Sequence, residues 1–329
     1  MIYDVEFNSS TQYPAPSVVQ LAEVAEAVGF SAFWEGEANN MDPIVLLSAI
    51  AARTSTLGLG IAIYHVFGRS PVTLGIQAAT LNDLSGGRLL LGLGPSNPRI
   101  AGWHGATFDR PLKRMREYVD IVQAVERGEK VEYHGETYSA NGFKLAWKPG
   151  HPASPLYLAA LGPQMIRLTG RMAQGVLINM ADPQQMKRIA TGVKEAAAEA
   201  GRNPNQLEIV TKVRCAVNKD REQARQVLKK VLTFYSLADF YRRMLADMGW
   251  QAEIEAIYQG YLAGGFNGGM ARVPDRMLDI LPLVAATSIS EVRERVAAFE
   301  EAGASRVIIA PVPCSTDVVS EVEAFLRAW

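Results

Sequence analysis

Eight short apolar runs recur along the chain, and a stretch with helical periodicity separates most of them from the next. They fall at 2–7, 32–35, 57–63, 88–93, 156–160, 176–179, 207–217 and 306–310. Each is continuous rather than alternating, as strands are when helices cover both faces of a parallel sheet. Between them, Val18, Leu21, Ala25 and Val28 share one helical face, and Gly29 ends that helix. Leu112, Met115, Val119, Val122 and Val125 form a second stripe, and Met186, Ile189, Val193, Ala196 and Ala200 a third. The alternation predicts an α/β chain folded as a (β/α)8 TIM barrel with insertions. The competing architecture is an open doubly wound sheet. It expects a glycine fingerprint in the first strand–helix turn, which here reads NSSTQYPAPS.

The expected organisation is one barrel domain over 1–329 with two additions. The segment 130–145 carries turn signals at His134-Gly135 and Asn141-Gly142 and predicts a hairpin. The segment 220–283 reads as mainly helical and contains YLAGGFNGGMARVP, which suits either a flexible lid or a plain long connection.

Charge and cysteine content narrow the function classes. A formal net charge of -1 gives no field to attract nucleic acid or an anionic membrane. The two cysteines, Cys215 and Cys314, have no metal-ligand spacing and suit a reducing compartment. No apolar run approaches the roughly 20 residues of a membrane span. The N-terminal MIYDVEFNSS has no basic segment of a secretion signal. The expectation is a cytoplasmic protein with no metal, nucleic-acid or membrane partner.

In a barrel, residues just past the strand C-termini face the active site. That rule selects Glu6, Asn8, Glu35, Glu37, Asn39, Tyr64, His65, Asn97, the turn Gly162, Pro163, Gln164 and Met165, Asn179, Lys212, Arg214 and the segment 311–313. Glu6 lies in the apolar run YDVEF, where a carboxylate is costly to bury alone. It suits either proton transfer or an ion pair across the barrel with Lys212 or Arg214. His65 is a candidate for ligand contact. Gly58 and Gly60 inside LGLGIAIYH mark close approach by another group, either a ligand ring or the barrel's own packing. The break at Gly162-Pro163, between an apolar run and a helix, would aim backbone N–H groups at an anion such as a phosphate.

These motifs resemble the bacterial luciferase-like flavin and deazaflavin oxidoreductases, nearest the coenzyme F420-dependent branch of methylenetetrahydromethanopterin reductase. The resemblance is carried most specifically by LGLGIAIYHVFGRSPVTLGIQAATLNDLSGGRLLLGLGPSNP and LYLAALGPQMIRLTGRMAQGVLIN. MIYDVEF, the LAEVAEAVGFSAFWEGEANN region and ISEVRERVAAFEEAGASRVIIAPV extend it from first strand to last. It implies a barrel, usually a homodimer, with F420 or alternatively FMN in its mouth. It also implies a non-prolyl cis peptide at Gly60–Ile61, a bulge through Ala62 backing the ring, and a phosphate cradle at Gly162, Pro163, Gln164 and Met165. Asn97 stands where the reductases carry an aspartate, and WEGEANN replaces a common Asp-His. Glu6 matches a strand-1 glutamate placed near substrate, with Glu37 and His65 as further catalytic candidates. Hydride transfer with F420 is the activity this implies; an FMN-dependent monooxygenase and a ring-binding protein without turnover are the alternatives.

Overall fold

A computed structural model describes residues 1–7 and 13–329. Asn8, one of the strand-end candidates, lies outside the described residues. The barrel strands are β1 (Ile2–Val5), β2 (Ala32–Glu35), β3 (Gly58–Ile61), β4 (Leu89–Gly94), β5 (Leu156–Ala159), β6 (Gly175–Ile178), β7 (Glu208–Val217) and β8 (Arg306–Pro311). Their order is β7-β8-β1-β2-β3-β4-β5-β6, and β6 pairs again with β7. That closed parallel sheet with intervening helices is a (β/α)8 barrel. By contact density the chain divides into two compact units, one of Met1–Tyr13, Ile178–Thr191 and Ile209–Trp329, the other of Pro14–Leu177 and Gly192–Glu208.

In the second of these, β2 to β6 are built in register: Ala32 opposes Gly58, Leu59 opposes Leu89, Leu91 opposes Leu156 and Tyr157 opposes Gly175. Helix starts are written in the sequence as a polar residue followed by proline. Asp42, Ser70 and Asn97 each cap a helix through the side chain, with Pro43, Pro71 and Pro98 in the first turn. The hairpin Val131–His134 and Ser139–Phe143 is antiparallel. Val131, Ala140 and Leu145 close a small core with Ala79, Ile121 and Val125.

In the first unit, β1 pairs with β8 and β8 with β7. A short strand, Leu283–Ala286, adds to Arg214–Val217 of β7. The helical expectation over 220–283 stops where this strand begins; its four apolar residues, LVAA, give no period to separate strand from helix. Much of the glycine-rich stretch lies in a packed helix, Gln251–Met270, kinked at Gly264 and Gly265. A Cβ on Gly260 would stand 2.4 Å from the Gly268 carbonyl oxygen, and one on Gly268 would stand 2.2 Å from that of Gly260. These glycines let two backbone stretches touch.

Candidate active site

The barrel strand β3 ends at Ile61, and the chain resumes as a short strand at Tyr64–His65. Its non-prolyl cis peptide is Ala62–Ile63, not Gly60–Ile61 as the resemblance implied. The ladder explains the difference: Gly60 and Ile61 still pair with Trp34 and Glu35, and Ala62 N–H donates to Glu35 O at 2.8 Å. Only beyond that bond is the chain released. Glycines surround the bulge. A Cβ on Gly36 would lie 2.7 Å from Ala62 O, one on Gly92 1.8 Å from Ile61 O, and one on Gly94 2.8 Å from Ile63 Cδ1. Gly60 instead makes room for the protein's own Trp34 indole, whose Cδ2 would lie 2.1 Å from an added Cβ. The ring pressed on β3 is therefore part of the barrel packing.

Just past the bulge, Glu37 gathers the polar groups. Its Oε1 accepts from Arg69 Nη2 at 2.5 Å and its Oε2 accepts the His65 backbone N–H at 3.2 Å. His65 Nε2 also stands 3.2 Å from Glu37 Oε2, but is not angled to donate to it. His65 Nδ1 accepts the Phe67 N–H at 3.3 Å, which places the imidazole proton on Nε2. Burial, with His104 and Arg69 nearby, brings the His65 pKa down to about 4. Burial raises that of Glu37 although Arg69 opposes the shift. The Arg69 guanidinium lies 3.9 Å over the Tyr64 ring, and the Tyr64 hydroxyl donates to Asp42 at 3.0 Å. Arg69 and Asp42 were not singled out in the sequence. Each sits beside a Pro-started helix, where the local pattern signals a helix start and nothing more.

Asn97 spends its side-chain oxygen on the Arg99 and Ile100 N–H groups, both at 3.1 Å. Gly162 behaves differently. It precedes helix Pro163–Met172, no side chain caps that helix, and the space a Cβ would occupy on Gly162 is open. Gln164 is exposed and Met165 half-buried in the same turn.

Within the other unit, Glu6 follows β1 and is buried. The Lys212 ammonium contacts its Oε2 as an ion pair. Since β8 lies between β1 and β7, these side chains meet over β8 on one face of the sheet. Arg214, two residues along β7, shares that face with Lys212. Its Nη1 donates to Asn179 Oδ1 at 3.0 Å and its Nη2 to the Tyr235 hydroxyl. Asn179 Nδ2 donates to the Tyr241 hydroxyl at 2.7 Å and to that of Tyr235 at 3.3 Å. Tyr235 and Tyr241 come from the helical segment, whose sequence gave no sign that these aromatics would converge on a strand end. Among the described residues there is no group of three or more His, Cys, Asp or Glu able to hold a metal. No helix among them is long and apolar enough to cross a membrane.

The luciferase-like monooxygenase family matches residues 4–306 of the sequence. The chain belongs to that family. Membership makes it an oxidoreductase. It is 30% identical to 5,10-methylenetetrahydromethanopterin reductase of Archaeoglobus fulgidus, over 94% of this chain and 92% of the relative. It is 29% identical to a putative coenzyme F420-dependent oxidoreductase of Mycobacterium tuberculosis, over 90% and 91%. The fold matches the coenzyme F420-dependent tetrahydromethanopterin reductase of Methanopyrus kandleri with a TM-score of 0.83 and 22% identity, covering 99% of this chain and 97% of that one.

Proposed function

We propose that the protein is a coenzyme F420-dependent oxidoreductase that transfers a hydride between the deazaflavin and a small organic substrate. The observation that carries this is the turn at Gly162. The helix after Gly162 starts without a side-chain cap just past β5, and the space beside Gly162 is open. That arrangement fits a phosphate-bearing cofactor, held by the backbone N–H groups of Gln164 and Met165. The F420-dependent relatives favour the deazaflavin over FMN.

When bound, the deazaflavin supplies a ring carbon that gives or takes the hydride. The protein's own residues do the rest. Gly162, Pro163, Gln164 and Met165 anchor the phosphate. Ile61, Ala62 and the bulge after β3, walled in by Gly36, Gly92 and Gly94, offer a rigid apolar back to the ring. Asn97 fixes the turn after β4 by capping its helix, and Gly60 seats Trp34 beneath the bulge. Glu37 ties Arg69 to the segment after the bulge and holds His65 beside it, neutral near pH 7. Glu6, charge-paired with Lys212, is the group assigned to proton exchange with the substrate.

The test is a pair of titrations of the purified protein, with F420 and with FMN, each followed by ring fluorescence. Micromolar or tighter binding of F420 alone is expected. Binding of FMN alone, with oxygen consumption coupled to product, would replace this reading by the monooxygenase one. Tight binding of either ring with no turnover of any electron acceptor would leave only a binding protein.

A further inference from the structure

Two arginines are buried on the barrel strands of the first unit, and they are treated differently. Arg306 is bonded twice to Asp4, at 2.8 and 3.0 Å. Arg214 is 4% exposed and has no carboxylate within ion-pair distance among the described residues. Its guanidinium is met by neutral atoms: Asn179 Oδ1, the Tyr235 oxygen and, at 3.8 Å, Met180 Sδ. A desolvated cation without a counter-ion is costly, and such sites are completed by an anion.

The hydrogen-bond inventory points the same way. Arg214 has donors only, so the oxygen of Asn179 must face it and the amide nitrogen must face the tyrosines. Tyr235 and Tyr241 therefore accept at their oxygens, and neither hydroxyl proton has an acceptor among the described residues. Burial keeps Tyr241 protonated well beyond neutral pH. Two phenol hydroxyls and the guanidinium thus lie in one cluster with protons left over that no acceptor among the described residues takes. Asn179, Tyr235 and Tyr241 are partly exposed, so the cluster is open to a ligand. It stands just past the C-terminal end of β6, on the side of a (β/α)8 barrel where ligands bind.

We infer that Arg214, Asn179, Tyr235 and Tyr241 form an anion subsite that recognises a carboxylate on the substrate. The single positive charge matches a monoanion better than a phosphate dianion. A planar carboxylate can take one guanidinium edge and two phenol donors together. The inference deepens the hydride-transfer reading, on which it rests for calling the ligand a substrate. Asn179 and the tyrosines are positioning residues for the guanidinium as well as donors. The segment 220–283 then has a role: it brings two phenols to the end of a barrel strand.

The experiment is thermal melting of the protein without cofactor, in acetate, hexanoate and benzoate against the matching neutral amides, and in inorganic phosphate. A second arm titrates F420 by ring fluorescence. At least one carboxylate should raise the melting temperature while its amide does not. Arg214→Gln should weaken that carboxylate at least tenfold, and Tyr241→Phe, which keeps the charge, several-fold. F420 affinity should be unchanged in both variants. Stabilisation by none of the three carboxylates, or equally in Arg214→Gln, overturns the subsite. Stabilisation by phosphate alone overturns the carboxylate assignment. Loss of F420 binding in Arg214→Gln assigns the anion to the cofactor and overturns the substrate role. If Arg214→Gln does not fold, the Tyr241→Phe comparison decides. Failure of F420 to bind the unaltered protein, with the carboxylate response intact, sinks the hydride-transfer reading and leaves the subsite standing.

Discussion

Glu37 bonds the Arg69 guanidinium at 2.5 Å with one carboxylate oxygen and accepts the His65 backbone N–H at 3.2 Å with the other. One side chain from the segment after β2 thereby holds both ends of the turn that follows the β3 bulge. Burial, with His104 and Arg69 nearby, lowers the basicity of the imidazole beside Glu37. His65, enclosed and facing Arg69 and His104, is neutral over most of the pH range.

That neutrality has a measurable cost in acid. The pKa of His65 is about 4 in the folded protein against 6.5 when exposed. Between those values the unfolded chain binds the proton and the folded one does not. Stability from this group is therefore present above pH 6.5 and lost as pH falls toward 4. The loss is at most about 3 kcal/mol. Glu37, whose folded pKa is raised, acts oppositely: its contribution falls as pH rises from 4.5. The two slopes partly cancel, so the variant isolates the histidine. His65→Asn keeps an acceptor for Phe67 N–H and should flatten the acid limb of a melting-temperature profile. An unchanged limb would exclude His65 as its source.

Glu126 should show the reverse dependence. It is buried, bonded to the Ser154 hydroxyl and backbone N–H, and burial raises its pKa from 4.5 to about 7. Below 4.5 both states carry the proton; as pH rises through 7 the folded state is forced to give it up. Its stabilising contribution, up to about 3 kcal/mol, fades across that window. Glu126→Gln retains an acceptor for Ser154 and has no charge to bury. It should match the unaltered protein near pH 5 and exceed it in denaturant midpoint near pH 8. Equal midpoints at both would mean that Glu126 is not held protonated.

The barrel was legible because each strand is a closed unit of information. The run LYLAA needs only its own apolar faces and the Gly-Pro after it to be placed at β5. The bulge after β3 was legible only in part, because its position depends on β2. Nothing in LGLGIAIYH says that Glu35 O will take the Ala62 N–H and carry the ladder past Gly60. Gly58 and Gly60 did announce a close approach, but a sequence does not distinguish a ligand ring from Trp34. The Glu37–Arg69 and Arg214–Tyr235 contacts span 32 and 21 residues. Such pairings are created by the fold, so they carry no local spacing to read.

Two glycine substitutions should separate packing from binding. A Cβ on Gly92 would stand 1.8 Å from the Ile61 carbonyl oxygen and 2.8 Å from Leu177 Cδ1, so backbone must move. Gly92→Ala should cost about 1–3 kcal/mol or more, seen as a lower melting temperature. Gly162→Ala meets open space, at φ -95, which alanine adopts freely. Its melting temperature should be unchanged. The methyl would intrude where the cofactor phosphate is proposed to lie, and a tenfold weaker F420 affinity corresponds to about 1.4 kcal/mol. If Gly162→Ala binds F420 as well as the unaltered protein, the phosphate is held elsewhere.

The last test addresses Glu6, which is 5% exposed and paired with Lys212. A purely structural pair and a proton-exchanging carboxyl both predict that Glu6→Gln destabilises, since it leaves the Lys212 ammonium without its partner; removing one side of a buried pair costs about 3–5 kcal/mol. The readings part in the double variant Glu6→Gln with Lys212→Met. It removes both charges and should recover most of the lost stability in either case. Turnover should recover only if the pair is structural. With Glu6 as the proton carrier, hydride transfer in both variants should stay down by about 100-fold or more while ring-fluorescence titration shows F420 bound as before. Restored turnover in the double variant would remove Glu6 from the chemistry and leave it as the counter-ion that keeps Lys212 in place.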